Sequence, residues 1–327
     1  MASKTYTLNS GYKIPAIGLG TWLSKPNEVE KAVEVALKNG YRHVDGAACY
    51  QNEEEVGRGW KASGVPREEI FLTSKLWNTS HKPELVEAAC DQTLKELQTD
   101  YLDLYLIHWP VPFQPGPNVR EGLWIQDPNT GRIALDKETK LEDTWKAMEA
   151  LVKKGKVRSI GVSNFTKERL EGFLPHCEII PAVNQIEAHP YLQQPELTAY
   201  LKEKNILIQA YSPLGNNEYG MPRVLDDEKV KEVASECKIS EAQALIAWAV
   251  QRETCVLPKS VTPSRIIDNF KEITIPDSAV EKLNSLNKNL RYNVPKAWGV
   301  NVFGEHSQEE LDAAAQKYAD ENPVKKA

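Results

Sequence analysis

Short apolar runs alternate with amphipathic helical patterns along almost the whole chain, and the alternation occurs eight times. The apolar runs are 16–20, 41–45, 70–76, 101–109, 157–165, 182–189, 206–215 and 255–260. Between and after them lie helical patterns at 26–40, 52–64, 83–97, 141–155, 167–174, 195–205, 226–238, 241–253 and 263–271. The first is representative: Val29, Ala32, Val33, Ala36 and Leu37 fall on one helical face and Gly40 supplies a stop. Short, largely apolar strands separated by such helices imply a parallel sheet covered by helices. Eight units in one chain predict closure into a (β/α)8 TIM barrel. KTYTLNSGYKIP adds a short N-terminal β-hairpin, and 277–288 an extra helix before a tail rich in Trp, Pro and Asn.

The competing architecture, a doubly wound nucleotide-binding domain plus a second domain, has little support. GLG at 18–20 lacks the third glycine of that fingerprint. No Gly-, Ser- or Pro-rich linker divides the chain, so residues 1–327 read as one barrel domain. The long segment 111–140 follows the fourth strand, which puts it on the C-terminal face, where barrels carry their chemistry. Tail 289–327 is expected to help shape the substrate pocket.

Composition narrows the partners. Hydrophobic residues at 41% and charged residues at 26% suit a soluble globular protein. A net charge of −6 gives no basic excess to hold a phosphate backbone, so no nucleic acid is expected. The opening MASKTYTLNSGYKIP has no apolar signal core, and no run is long enough to span a bilayer. Five widely spaced cysteines, an odd number without a CxxC pair, read as free thiols in a reducing cytoplasm. The sequons at Asn78 and Asn164 are read as chance matches.

Polar residues stand at the C-terminal ends of three adjacent strands. The second ends at Asp45, with Tyr50 just beyond; the third ends at Lys75; the fourth at His108. Singly, each has an ordinary explanation: a solvated lysine, a hydrogen-bonded structural histidine, an aspartate capping a helix. Four together on one face of a mostly apolar barrel suggest an acid–base site. A free phenol, with a pKa of about 10, exchanges its proton slowly at neutral pH. A lysine ammonium against the Tyr50 oxygen is expected to lower that value, with Asp45 keeping Lys75 charged. His108 is placed to orient a carbonyl, and Tyr50 to protonate its oxygen as hydride reaches carbon.

The motifs GLGTW (18–22), HVDGAACYQNEEEVG (43–57), SKLW (74–77), LDLYLIHWP (102–110), GVSNF (161–165), VNQIEAHP (183–190), AYSPLG (210–215) and LPKSVTPSRIIDNF (257–270) together resemble the aldo-keto reductases. The tail RYNVPKAWGVNVFGE (291–305) is similar to that of fungal NADPH-dependent aldehyde reductases and glycerol dehydrogenases. The resemblance implies NADPH-dependent reduction of aldehydes and some ketones, reversible on polyols, by a cytoplasmic monomer that needs no metal. It implies Tyr50 as general acid, Lys75 and Asp45 as its tuners, and His108 as the orienting residue. For the cofactor it implies Tyr211 stacking on the nicotinamide and Ser163, Asn164 and Gln185 holding the carboxamide. Ser212, Leu214 and Asn216 would lie along the pyrophosphate. Lys259, Ser260, Val261, Thr262 and Arg265 would surround the 2′-phosphate and Asn269 the adenine, and Thr21 and Trp22 would also contact the cofactor. The KSVTPSR segment agrees physically, since two cations and two hydroxyls at a helix start suit an anion. Trp22, Trp77 and Trp109, each just past a strand, and Trp298 in the tail would wall an apolar pocket, with His108 at its floor. Trp60 and Trp248, on helices, read as packing.

Three departures from the pattern stand out: Gly46 after Asp45, which suggests a looser loop; Cys49 beside Tyr50; and Asn216 and Asn217 after SPLG. Three rival readings are weaker. Tyr200 and Lys204 form a YxxxK pair, but no glycine-rich nucleotide loop opens the chain. A metal-dependent hydrolase lacks a His-x-His or clustered strand-end carboxylates. A non-catalytic NADPH-binding regulatory subunit is the main alternative, set against the retention of all four reactive groups.

Overall fold

The computed structural model describes residues 4–215 and 220–324. Thr5–Thr7 (β1) and Lys13–Pro15 (β2) form the antiparallel hairpin, with Thr5 opposite Pro15. The remaining strands are β3 (Leu19–Gly20), β4 (His43–Asp45), β5 (Phe71–Leu76), β6 (Leu102–Ile107), β7 (Val157–Ser163), β8 (Val183–Glu187), β9 (Leu207–Tyr211) and β10 (Cys255–Val256). They pair in chain order, all parallel, as an eight-stranded sheet. Bridges Ile17–Val256 and Gly20–Lys259 join its two ends and close the barrel. The expected (β/α)8 fold is therefore the observed one, and an open doubly wound sheet is excluded.

The helices are α1 (Val29–Lys38), α2 (Glu53–Ser63), α3 (Pro83–Leu97), α4 (Leu141–Lys153), α5 (Lys167–Phe173), α6 (Pro195–Glu203), α7 (Glu228–Cys237), α8 (Glu241–Gln251), α9 (Pro263–Asn269), α10 (Asp277–Asn284) and α11 (Gln308–Glu321). The α1 face named from the sequence is the buried one. Fully burying one such Val or Leu side chain is worth about 1.5–3 kcal/mol, so Val33→Asp would detach this helix. None of the described helices is long and apolar enough to cross a membrane.

Period-two alternation sorts the strand residues into two cores. Leu72, Leu76, Tyr105, Ile107, Val162, Ile186, Ile208 and Ala210 face the helices. Phe71, Leu104, Leu106, Val183 and Cys255 face inward and pack against Leu8 and Ile14 of the hairpin, which plugs one end. Gly18 meets the inward His43 so closely that a Cβ there would lie 2.6 Å from His43 Nδ1. The last strand is shorter than expected because Pro258 has no N–H to extend the ladder.

A third apolar cluster, built from Trp77, Val111, Phe113, Leu123, Ile133, Trp298 and Val302, covers the other end. The tail ends in α11, a helix not named from the sequence, whose Ser307 and Glu310 form a capping box. Segment 111–140 is folded back on itself, with antiparallel bridges Phe113–Leu135 and Gln126–Ile133 around the Asp127–Gly131 turn.

Candidate active site

The inward set on β4, β5 and β6 ends with Asp45, Lys75 and, one step past the ladder, His108. Register enforces this: Asp45 pairs with Thr73, and Lys75 with Leu106, so all of them share the inner face. Tyr50 arrives from the short turn Ala48–Tyr50 that follows β4. The four residues named from the sequence therefore converge.

Lys75 is fully buried, and Asp45 is nearly so. The ammonium donates to Asp45 Oδ1 at 2.6 Å and to the Gly46 carbonyl at 2.7 Å, and reaches the Tyr50 hydroxyl at 3.4 Å. The Gly46 N–H also donates to Thr73 O at 2.9 Å, so this residue is held at both ends and the expected looseness is not seen. Asp45 Oδ2 accepts from Gln185 Nε2 at 2.8 Å. Burial pushes the Asp45 carboxyl up, opposed by the Lys75 charge and by the hydrogen bonds from Lys75 and Gln185.

The phenol departs from expectation. Burial, followed by the negative potential of Asp45 and smaller pushes from Cys49 and Tyr211, raises Tyr50 well above its ordinary value. The resting site therefore holds a firmly protonated acid rather than an incipient phenolate. Burial and the charge of Lys75 push His108 well below its ordinary value, leaving a neutral imidazole. Its ring lies 5.8 Å from that of Tyr50, and Cys49 Sγ lies 3.4 Å from its Nδ1.

Beyond this group a row of buried amides and hydroxyls follows the ends of β7, β8 and β9. Ser163 Oγ donates to Gln185 O at 2.8 Å; Asn164 Nδ2 donates to His108 O at 3.0 Å; the Tyr211 hydroxyl donates to Asn164 Oδ1 at 2.6 Å. Ser212 turns left-handed, with φ of 48°, and accepts from Asn293 Nδ2 at 3.4 Å. Further along, Lys259 Nζ donates to Leu23 O at 3.0 Å, while the Thr262 N–H donates to Ser260 Oγ at 3.1 Å. Arg265 is exposed, Asn269 is buried, and Val261 and Leu214 pack on the core. Thr21 Oγ1 donates to Asp45 O at 2.9 Å. Asn216 and Asn217 lie outside the described residues. A planar aromatic at a strand end, a line of amides and an exposed guanidinium fit an elongated, anionic nucleotide carrying a flat ring.

The aromatic wall is broader than expected. Trp298 contacts Trp77 at 6.2 Å, Trp109 at 5.1 Å, Phe113 at 5.1 Å and Trp124 at 6.2 Å between ring centroids. Trp77 is covered by its neighbours and donates to Leu123 O at 2.8 Å, whereas Trp124 stands 46% exposed at the mouth. Trp124, Phe113 and Phe303 were not singled out from the sequence; the pairing of the first two with Trp298 and of Phe303 with Trp109 is tertiary and carries no local pattern. Trp22 is half-buried past β3 and shares no ring contact with this group among the described residues. Trp60 and Trp248 are buried on helices, as expected. Tyr200 on the outer helix α6 and Lys204 at its C-cap sit together, remote from the barrel interior.

Two anchors of the surrounding loops were also missed. Buried Glu53 accepts from Ser74, from Thr93 at 3.0 Å and from Arg120 of the long loop at 2.7 Å. Buried Glu187 accepts from the backbone N–H groups of Tyr292 and Asn293, both at 2.8 Å, which ties the tail to β8. Only the placement of Glu53 three residues past Tyr50 hinted at the first.

Comparison with known proteins fits this geometry. Residues 16–288 match the profile of the Aldo/keto reductase family. The chain is 46% identical to a D/L-glyceraldehyde reductase of Hypocrea jecorina, covering 96% of this chain and 97% of that protein. It is 45% identical to Aldo-keto reductase family 1 member A1 of Homo sapiens, covering 90% and 93% respectively. Among solved structures it resembles an aldose reductase from Schistosoma japonicum with a TM-score of 0.83 and 41% identity, over 93% of this chain and 97% of that one.

Proposed function

The chain belongs to the aldo/keto reductase family and is an oxidoreductase of carbonyl and alcohol groups, and from that premise we propose that it reduces small aldehydes and some ketones with NADPH. The observation that carries this reading is the buried Asp45–Lys75 pair ending against the Tyr50 hydroxyl beneath an aromatic pocket. NADPH, when bound, supplies a hydride to the carbonyl carbon.

The chain's own residues do the rest. Neutral His108 donates to the carbonyl oxygen and fixes its orientation. Tyr50, held protonated, gives its proton to that oxygen as negative charge develops there, since an alkoxide is far more basic than a phenolate. The phenolate left behind faces the Lys75 ammonium, which stabilises it, and Asp45 keeps that ammonium charged in a site screened from water. In reverse, the same phenolate accepts a proton from an alcohol, so polyol oxidation is available.

Tyr211, Ser163, Asn164 and Gln185 would hold the nicotinamide end of the cofactor. Thr21, Trp22, Ser212, Leu214 and Asn216 would line its course. Lys259, Ser260, Val261, Thr262, Arg265 and Asn269 would take its adenosine end, the two cations favouring a 2′-phosphate. Residues 1–327 act as one domain, with loop 111–140 and tail 289–327 shaping the pocket, as a cytoplasmic monomer.

The test is NADPH absorbance with D- and L-glyceraldehyde, pentoses, uronic acids and aromatic aldehydes. Turnover with NADPH preferred over NADH is expected. Tight NADPH binding with no aldehyde reduced would instead favour a cofactor-binding regulatory subunit.

A further inference from the structure

Cys49 shares the short turn Ala48–Tyr50 with the general acid, and its Sγ lies 3.4 Å from His108 Nδ1. Among the described hydrogen bonds it is the only partner of that nitrogen. We propose that Cys49 is a positioning residue: its S–H donates to His108 Nδ1 and holds the imidazole in the tautomer with the proton on Nε2, the nitrogen left to donate to a carbonyl oxygen. The inference rests on the role given above to His108.

A neutral imidazole carries one proton, and the partner of one nitrogen decides the role of the other. A backbone carbonyl at Nδ1 would put the proton there and leave Nε2 an acceptor, useless for polarising a carbonyl. A thiol can in principle serve either way, so the protonation states decide. Burial pushes the Cys49 thiol up, so it keeps its proton. Burial, with Lys75 and then His81, keeps His108 neutral. Two arrangements remain. In one, S–H donates to the lone pair of Nδ1, and both groups are satisfied. In the other, Nδ1–H points at sulfur, a weak acceptor, and the S–H proton has no acceptor. The first makes better use of both groups and places N–H on the pocket side. The charged and titratable groups around this contact are Lys75, Tyr50, Glu53, Arg120 and His81. The Lys75 charge opposes a second proton on the ring, which leaves the choice of nitrogen to the thiol contact.

The test separates tautomer from turnover. Long-range proton–nitrogen correlation spectra of 15N-labelled protein report which ring nitrogen of each of the six histidines carries the proton. The His108→Asn spectrum assigns the relevant signal. In the resting protein, wild type and Cys49→Ser should show Nδ1 unprotonated and Nε2 protonated, while Cys49→Val should show a mixture. Losing one hydrogen bond of this kind should lower kcat about 3- to 10-fold in Cys49→Val, with the KM for NADPH unchanged and most of the rate restored in Cys49→Ser. A proton on Nδ1 in wild type, or a valine variant with unchanged tautomer and kcat, overturns the proposal. The tautomer is read without cofactor or substrate, so it decides the Cys49 contact even if the reductase reading fails.

Discussion

Arg120→Leu offers the sharpest test of how the pocket is held. Arg120 stands in the long loop and reaches down to Glu53 Oε2 at 2.7 Å and Glu96 Oε1 at 2.8 Å. The Glu53 side chain is 1% exposed and the Arg120 side chain 17%, so this is a desolvated pair. Removing one partner of such a pair typically costs about 3–5 kcal/mol, because a buried charge is left uncompensated. Glu53 keeps its hydrogen bonds from Ser74 and Thr93 and can take up a proton, so the lower end of that range, about 3 kcal/mol, is expected. For a chain of this size that corresponds to a fall in Tm of about 4–5 °C. The sign of the pH dependence follows from Glu53, whose carboxyl burial already pushes up. A carboxyl with a raised folded pKa is destabilising once it must ionise, so the variant should lose more stability at pH 8 than at pH 5. Urea unfolding of wild type and variant at the two pH values measures this. The same loop carries Phe113, Leu123 and Trp124, so KM for aldehydes should rise severalfold while NADPH affinity holds. A loss below about 0.5 kcal/mol, the range of an ordinary surface substitution, or one equal at both pH values, would refute the clamp.

Other outcomes follow from the same geometry. Burial, with a smaller push from Lys75, lowers His43 from 6.5 to about 4. The unfolded chain then binds a proton that the folded one refuses, so stability should fall as pH drops below 6.5 and level off below about 4, a loss of about 3 kcal/mol from this residue; His43→Gln should flatten that part of the urea-midpoint profile. Arg265→Ala removes an exposed cation placed for a 2′-phosphate, and KM for NADPH should rise about tenfold with KM for NADH unchanged, as measured by steady-state kinetics. Trp298→Ala opens the wall where four other aromatic rings meet; KM for aromatic aldehydes should rise more than KM for glyceraldehyde, and equal changes would argue against a role in shaping the pocket.

How much of this was readable in the chain depended on how local the signal was. The eight units followed from short apolar runs and the helical period between them, and the pattern over 83–97 matches α3, with Pro83 at its first turn. Asp45, Lys75 and His108 could be grouped because parallel neighbours align their C-terminal ends. Helix α11 was missed although Ser307 and Glu310 carry its capping signal, because only Leu311, Ala315 and Ala319 are buried along it and its apolar face is weak. The direction of the Tyr50 shift was missed for a different reason. Sequence shows that a lysine can reach a phenol and an aspartate the lysine, but not the burial around the phenol, which is the largest cause of its upward shift. The Glu53–Arg120 and Glu187–tail anchors join segments 67 and 105 residues apart, and no local pattern encodes such pairings.

The central claim is that Tyr50 supplies the proton. The direct measurement is Tyr50→Phe beside wild type, with NADPH affinity from protein fluorescence and single-turnover reduction of glyceraldehyde. The account predicts unchanged NADPH binding and a rate reduced by at least about 100-fold, the usual contribution of general acid catalysis. A variant that keeps most of the wild-type rate would contradict it.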